Sequence, residues 1–113
     1  MELIPLGKRL RGKDVFLEKH AFTRVRDRGI SLDMIYYTLK HPHEIYRENR
    51  YKPLLPNMKR YVAIRVIDDK VNIVVYDENE NIIVITSWNM KTIRRFNRYK
   101  EKKIKSKSWT RIR

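Results

Sequence analysis

No cysteine occurs anywhere in the chain, which excludes disulfides, zinc–thiolate sites and thiol nucleophiles. An intracellular protein needs none of these, and a cytoplasmic setting is the expectation. Glycine is scarce: Gly7, Gly12 and Gly29 are the three, and none sits in a P-loop or GxGxxG pattern, so a nucleotide-hydrolase reading has no support. No apolar run approaches the roughly 20 residues of a membrane-spanning helix. The first eight residues lack the apolar core of a signal peptide, and no membrane partner is expected. Acids are in deficit, 13 against 27 Lys and Arg, for a formal charge of +14. Five of the acids (Asp68, Asp69, Asp77, Glu78, Glu80) fall in short polar gaps where solvent is expected to surround them. A magnesium site needs carboxylates converging from rigid elements. His41 and His43 could join His20 on zinc, but two histidines at a helix end more readily serve the helix dipole. No cofactor or metal is expected.

The positive excess is unevenly placed. Residues 89–113 carry eleven Lys or Arg against a single acid, Glu101, whereas the first 88 carry 16 against 12. Such asymmetry points to a polyanionic partner, nucleic acid first. Phe96, Tyr99 and Trp109 interleave the charges and are of the type that stacks on bases. A merely solubilising tail is the plainer alternative.

The strongest fold signal is a set of three apolar, β-branched runs, residues 60–67, 71–76 and 82–88, separated by polar gaps at 68–70 and 77–81. Runs of this length with Asp, Asn and Glu between them read as an antiparallel meander. Ahead of it, residues 14–28 read as a helix with Leu17, Ala21 and Val25 on one face. Gly29 ends that helix at the position that takes positive φ, with Ile30 and Val25 making the accompanying hydrophobic contact. Ser31 caps a second helix whose Leu32, Ile35, Tyr36 and Leu39 form an amphipathic stripe, stopped near Pro42. Residues 43–50 suit a charged edge strand. Residues 51–58, with Pro53 and Pro56, read as a loop, and residues 1–13 as irregular. Asn89 is read as the cap of a last helix over residues 90–99. The expected fold is α+β: an N-terminal helical hairpin packed on an antiparallel sheet of three to four strands, followed by a short basic C-terminal helix. Residues 1–99 would form the single domain and 100–113 a basic, flexible tail. The second and third strong strands are apolar on both faces, so the C-terminal helix or a second copy of the chain must cover the face opposite the hairpin. A homodimer is the simplest form of the latter.

His20, Arg24 and Arg28 recur every four residues and so form one row on the first helix. A histidine exchanges protons near neutral pH, and arginine grips phosphate with a planar fork. The same row serves equally well as a boundary whose arginine stems cover apolar surface. Arg60 and Arg65 lie five apart in the first strong strand and face opposite sides. Arg65, flanked by apolar residues, is either a phosphate clamp or the partner of an acid such as Asp33 or Glu44.

The stretch from His20 through Arg24 and Arg28 to Gly29, Ile30 and Ser31, followed by His41–Pro42 and by Val84–Trp88, resembles a large family of small proteins of unknown function. That family is similar to BrnT-type toxins and, more remotely, to the RelE/ParE superfamily of toxin ribonucleases and gyrase poisons. The resemblance covers about residues 16–88. It implies a RelE-like fold and, if the chain is an enzyme, a metal-independent ribonuclease with His20, Arg24, Arg28 and Arg65 near the scissile phosphate. Three functions stay open. The first is nucleic-acid binding, with RNA or DNA held by Lys91, Arg94, Arg95, Arg98, Lys100, Lys102 and Lys103 and stacked on Tyr99 and Trp109. The second is the toxin-like endoribonuclease. The third is a protein–protein inhibitor module with a cognate protein partner.

Overall fold

The computed structural model describes residues 2–52 and 54–113. Met1 and Pro53, the latter one of the two prolines of the expected loop, lie outside the described residues. The three apolar runs are the long strands β4 (Lys59–Ile67), β5 (Lys70–Glu78) and β6 (Ile82–Met90). Ile67 pairs with Lys70 across a two-residue turn in which Asp68 takes a φ of 53°. Aspartate tolerates that left-handed conformation better than most residues. Between β5 and β6 the register slips by one: Val75 faces Thr86 and Tyr76 faces Val84, leaving Ile85 as a bulge.

Four further strands extend this meander. β1 (Leu3–Leu10) and β2 (Lys13–Glu18) form a hairpin, β2 lies parallel to β6, and β3 (Glu44–Glu48) and β7 (Trp109–Arg111) continue the other edge. The spatial order is β1-β2-β6-β5-β4-β3-β7. The expectation of a helical hairpin on three or four antiparallel strands is therefore corrected to a seven-stranded mixed sheet with three helices. Three physical causes account for the missed N-terminal strands. Arg11 and Gly12, both at positive φ (53° and 74°), make the tight turn of β1–β2. Pro5 and Gly7 are tolerated in β1 because it is an edge strand with an irregular register between Pro5 and Arg9. Val15 and Leu17 are buried and alternate with less buried neighbours, a period of two that the four-residue spacing from Leu17 to Val25 masked.

The first helix, α1 (Lys19–Asp27), thus begins five residues later than expected, where the Glu18 carboxylate accepts from the backbone N–H groups of His20 and Ala21 at 2.9 and 3.3 Å. Its end is as read: Gly29 has a φ of 70°, its N–H donates to the Arg26 carbonyl, and the Ile30 N–H donates to the Val25 carbonyl. This is the paired bonding that a Schellman cap requires. Ser31 Oγ accepts from the Met34 N–H at 3.1 Å and opens α2 (Leu32–Lys40). α1 lies on β6 and α2 on β5 and β4, burying Val25, Ile35 and Leu39 against Ala63, Val74, Ile82 and Val84.

The opposite face of the sheet is covered by α3 (Ile93–Lys105). Its cap is Thr92, whose Oγ1 accepts from the Arg95 N–H at 3.1 Å; Asn89, the expected cap, is still within β6. The expected tail continues this helix to Lys105, turns through Lys107 at a φ of 61°, and adds β7 to the edge of β3. Asp77, expected in solvent, is fully buried on the α3 side of the sheet, with both carboxylate oxygens held by Arg60 at 2.7 and 3.1 Å. Among the described residues no helix is long and apolar enough to cross a membrane.

Candidate nucleic-acid interface

α3 meets the sheet through Phe96, which is 1 % exposed, and through the half-buried Tyr99. Phe96 is the only residue of this helix that is fully buried. Residues 3.6 apart per turn share a face, so fixing Phe96 and Tyr99 inward fixes the outward face as well. There stand Arg94, Arg95, Arg98, Lys102 and Lys105, all exposed, with Lys91 exposed just ahead of the helix. Positions 95, 98, 102 and 105 alternate steps of three and four and define one stripe, roughly 15 Å long at 1.5 Å per residue, while Lys91 precedes the Thr92 cap. None of these six cations takes part in an ion pair among the described residues. Glu101 is the one acid of the helix.

Two of the lysines expected on this surface are turned inward. Lys100 Nζ lies 3.2 Å from Glu44 Oε1 and 5.4 Å above the Phe96 ring. Lys103 lies over the Tyr99 ring at 5.5 Å. Neither expected stacking aromatic is free. Tyr99 is wedged edge-on between Trp88 (6.2 Å) and Trp109 (5.5 Å). Trp109 is 3 % exposed, stacks on Tyr46 at 5.0 Å, and donates from Nε1 to Glu48 at 3.0 Å. These aromatics tie β7 and α3 to β3, and the buried Trp109 is out of reach of a base without unpacking the core. Lys105 was missed because the helix was expected to end at Tyr99; its spacing of seven from Arg98 is the signal that places it.

Glu44 is the junction of this side. It accepts from the Tyr46 hydroxyl and from Lys100, and Arg111 approaches at 3.3 Å. Burial pushes the Glu44 carboxyl up, but those hydrogen bonds and the two cations outweigh it and hold the group below its ordinary value. Burial and the Glu44 carboxylate push the Tyr46 hydroxyl up.

The expected catalytic residues do not meet at one point. His20 is exposed at the start of α1 and Arg28 closes its end, about 12 Å away along the axis at 1.5 Å per residue. Arg24 is exposed between them. The Arg28 guanidinium reaches across to β6, donating to Thr86 Oγ1 at 3.2 Å and the Ser87 carbonyl at 2.8 Å. Arg65 is held elsewhere on the same face, at the end of α2, over the Tyr37 ring at 4.6 Å and bonded to the His41 carbonyl. The acids offered as its partners are otherwise engaged, Asp33 with Lys8 and Glu44 with Lys100 and Arg111. His43 Nδ1 accepts from the Val66 N–H at 2.9 Å. Among the described residues no three His, Asp or Glu side chains are grouped to hold a metal ion.

Residues 17–88 match a family model described as a domain of unknown function, DUF4258. No curated protein and no solved structure matches the chain.

Proposed function

The chain belongs to the DUF4258 family, and its α3 and β7 lie beyond the matched residues; on that premise we propose that it binds nucleic acid, with the outward face of α3 lying against the sugar–phosphate backbone. The observation that carries this reading is the stripe of cations from Arg95 to Lys105, unpaired among the described residues and fixed in direction by Phe96 on the helix's other side, with Lys91 just ahead of it. Like charges three and four apart on a helix destabilise it, each pair by roughly 0.2–0.5 kcal/mol. A polyanion removes that repulsion. In a duplex one strand presents a phosphate about every 3.4 Å of axis, so the stripe is long enough to meet several. The remote resemblance of the opening motif to RelE-type toxin ribonucleases supports the same class of partner.

Labelled duplex DNA and single-stranded RNA, titrated in EDTA at two salt concentrations, test it. With about five phosphates neutralised, the logarithm of the duplex affinity falls with the logarithm of salt at a slope near −4.5, and near −3.5 for single strands. Intact strands and a steep slope are the expected outcome. Absence of binding at low salt overturns the reading. Cleavage in EDTA that His20→Ala abolishes would move the activity to the outer row of α1.

A further inference from the structure

An open cleft of about 490 Å³ lies where the α1–α2 turn overhangs the ends of β4, β5 and β6. Its walls are apolar, Met34 from α2 and Ile67 from β4, and its floor is polar, formed by Asn72 and Asn89, which face each other across β5 and β6. Asn72 is 7 % exposed, and its carboxamide borders the open space of the cleft. Lys70 and Lys91 stand at the rim. Lys91 also immediately precedes the Thr92 cap of α3, so the cleft adjoins the start of that helix.

We infer that this cleft takes the base of one unstacked nucleotide from a nucleic acid whose backbone lies along α3. Sites that receive an extruded base combine apolar walls on its two faces with hydrogen bonds to its edge. Carboxamides offer a donor and an acceptor side by side, the pattern that matches adenine. A volume of this size lies within the range of small-ligand pockets. Lys70 and Lys91 hold the adjoining phosphates. Of the two acids at the mouth, Asp69 is engaged with the Ile93 N–H at 3.4 Å and Asp68 sits exposed at the turn; both exclude phosphate from their side of the mouth and leave it to the lysine rim.

This inference rests on the α3 reading, and the test separates the two. The probe is a DNA duplex with a single bulged adenine replaced by 2-aminopurine, compared with the same duplex fully paired. The bulged duplex is expected to bind about tenfold tighter, with the same salt slope, and its 2-aminopurine to brighten on binding. Asn89→Ala, an exposed position that leaves the core intact, is expected to erase the preference without changing the slope; Asn72→Ala should do the same if it folds. Equal affinity for both duplexes with no brightening overturns the cleft proposal and leaves the α3 reading standing. A preference that survives Asn89→Ala also overturns it. Failure of both duplexes to bind at low salt overturns both.

Discussion

α1 and α2 lay an aliphatic layer on one face of the sheet, whereas α3 holds the other face through Phe96 and a cluster of aromatics. The two hairpin helices are nine residues each, and between them bury Ala21, Val25, Ile35, Thr38 and Leu39. α3 is thirteen residues long and buries one. The hairpin is secured by local devices: the Glu18 and Ser31 caps and the Schellman turn at Gly29. The α3 side is secured by contacts distant in sequence: Glu44 with Lys100 and Arg111, Glu48 with Trp109, and Arg60 with Asp77. Helix length beyond what the core uses becomes surface, and on α3 that surface is cationic. The hairpin is therefore mainly a structural layer, and α3 mainly a platform.

If α3 hangs on one buried side chain, removing that side chain has the largest effect. Phe96→Ala is expected to cost about 3–5 kcal/mol, the range for truncating a buried phenylalanine, measured as a shift in urea midpoint. A loss under about 1 kcal/mol would mean that Tyr99 and the Glu44 contacts suffice to seat the helix. On the hairpin side, Gly29→Ala tests the local device. An added Cβ meets no atom within 4 Å, so only the left-handed backbone is strained, at about 1–2 kcal/mol. The smallest of these effects belongs to Glu44. Its folded-state carboxyl lies below the ordinary value of 4.5, so its contribution to stability is present above that value and is lost as pH falls through the lower folded-state value. Glu44→Gln should flatten the decline of urea midpoint between neutral and acid pH. An unchanged decline would assign it to other carboxylates.

The same division explains what could be read from the sequence. Gly29, Ile30 and Ser31 act on residues within five positions of themselves, so the helical hairpin was legible apart from its first turn. The meander was legible because its β-branched runs are long and its gaps short. The α3 side was not, since a Trp109 side chain bonded to Glu48, or Asp77 buried under Arg60, joins residues whose pairing only the sheet register sets. Trp109 consequently looked like stacking surface although it is core, and Tyr99 is half-buried against it. β2 was hidden for a different reason: Val15 and Leu17 fit a strand by alternation, while Leu17, Ala21 and Val25 fit a helix by spacing. Of the proposed interface, Lys91, Arg94, Arg95, Arg98 and Lys102 were legible from charge alone, and the shared direction of those within α3 came only from knowing where Phe96 points.

The measurement that bears most directly on the difference between the helices is a matched neutralisation. Arg95→Gln with Arg98→Gln on α3 is compared with Arg24→Gln with Arg26→Gln on α1, reading the salt dependence of duplex binding. Both pairs are exposed, so stability should change by no more than about 0.5 kcal/mol in either. The α3 pair is expected to reduce the slope by about 1.8, or 0.9 for each lost phosphate contact, and the α1 pair to leave it unchanged. Equal reductions from the two pairs would mean that net charge alone attracts nucleic acid, and would contradict the assignment of the interface to α3.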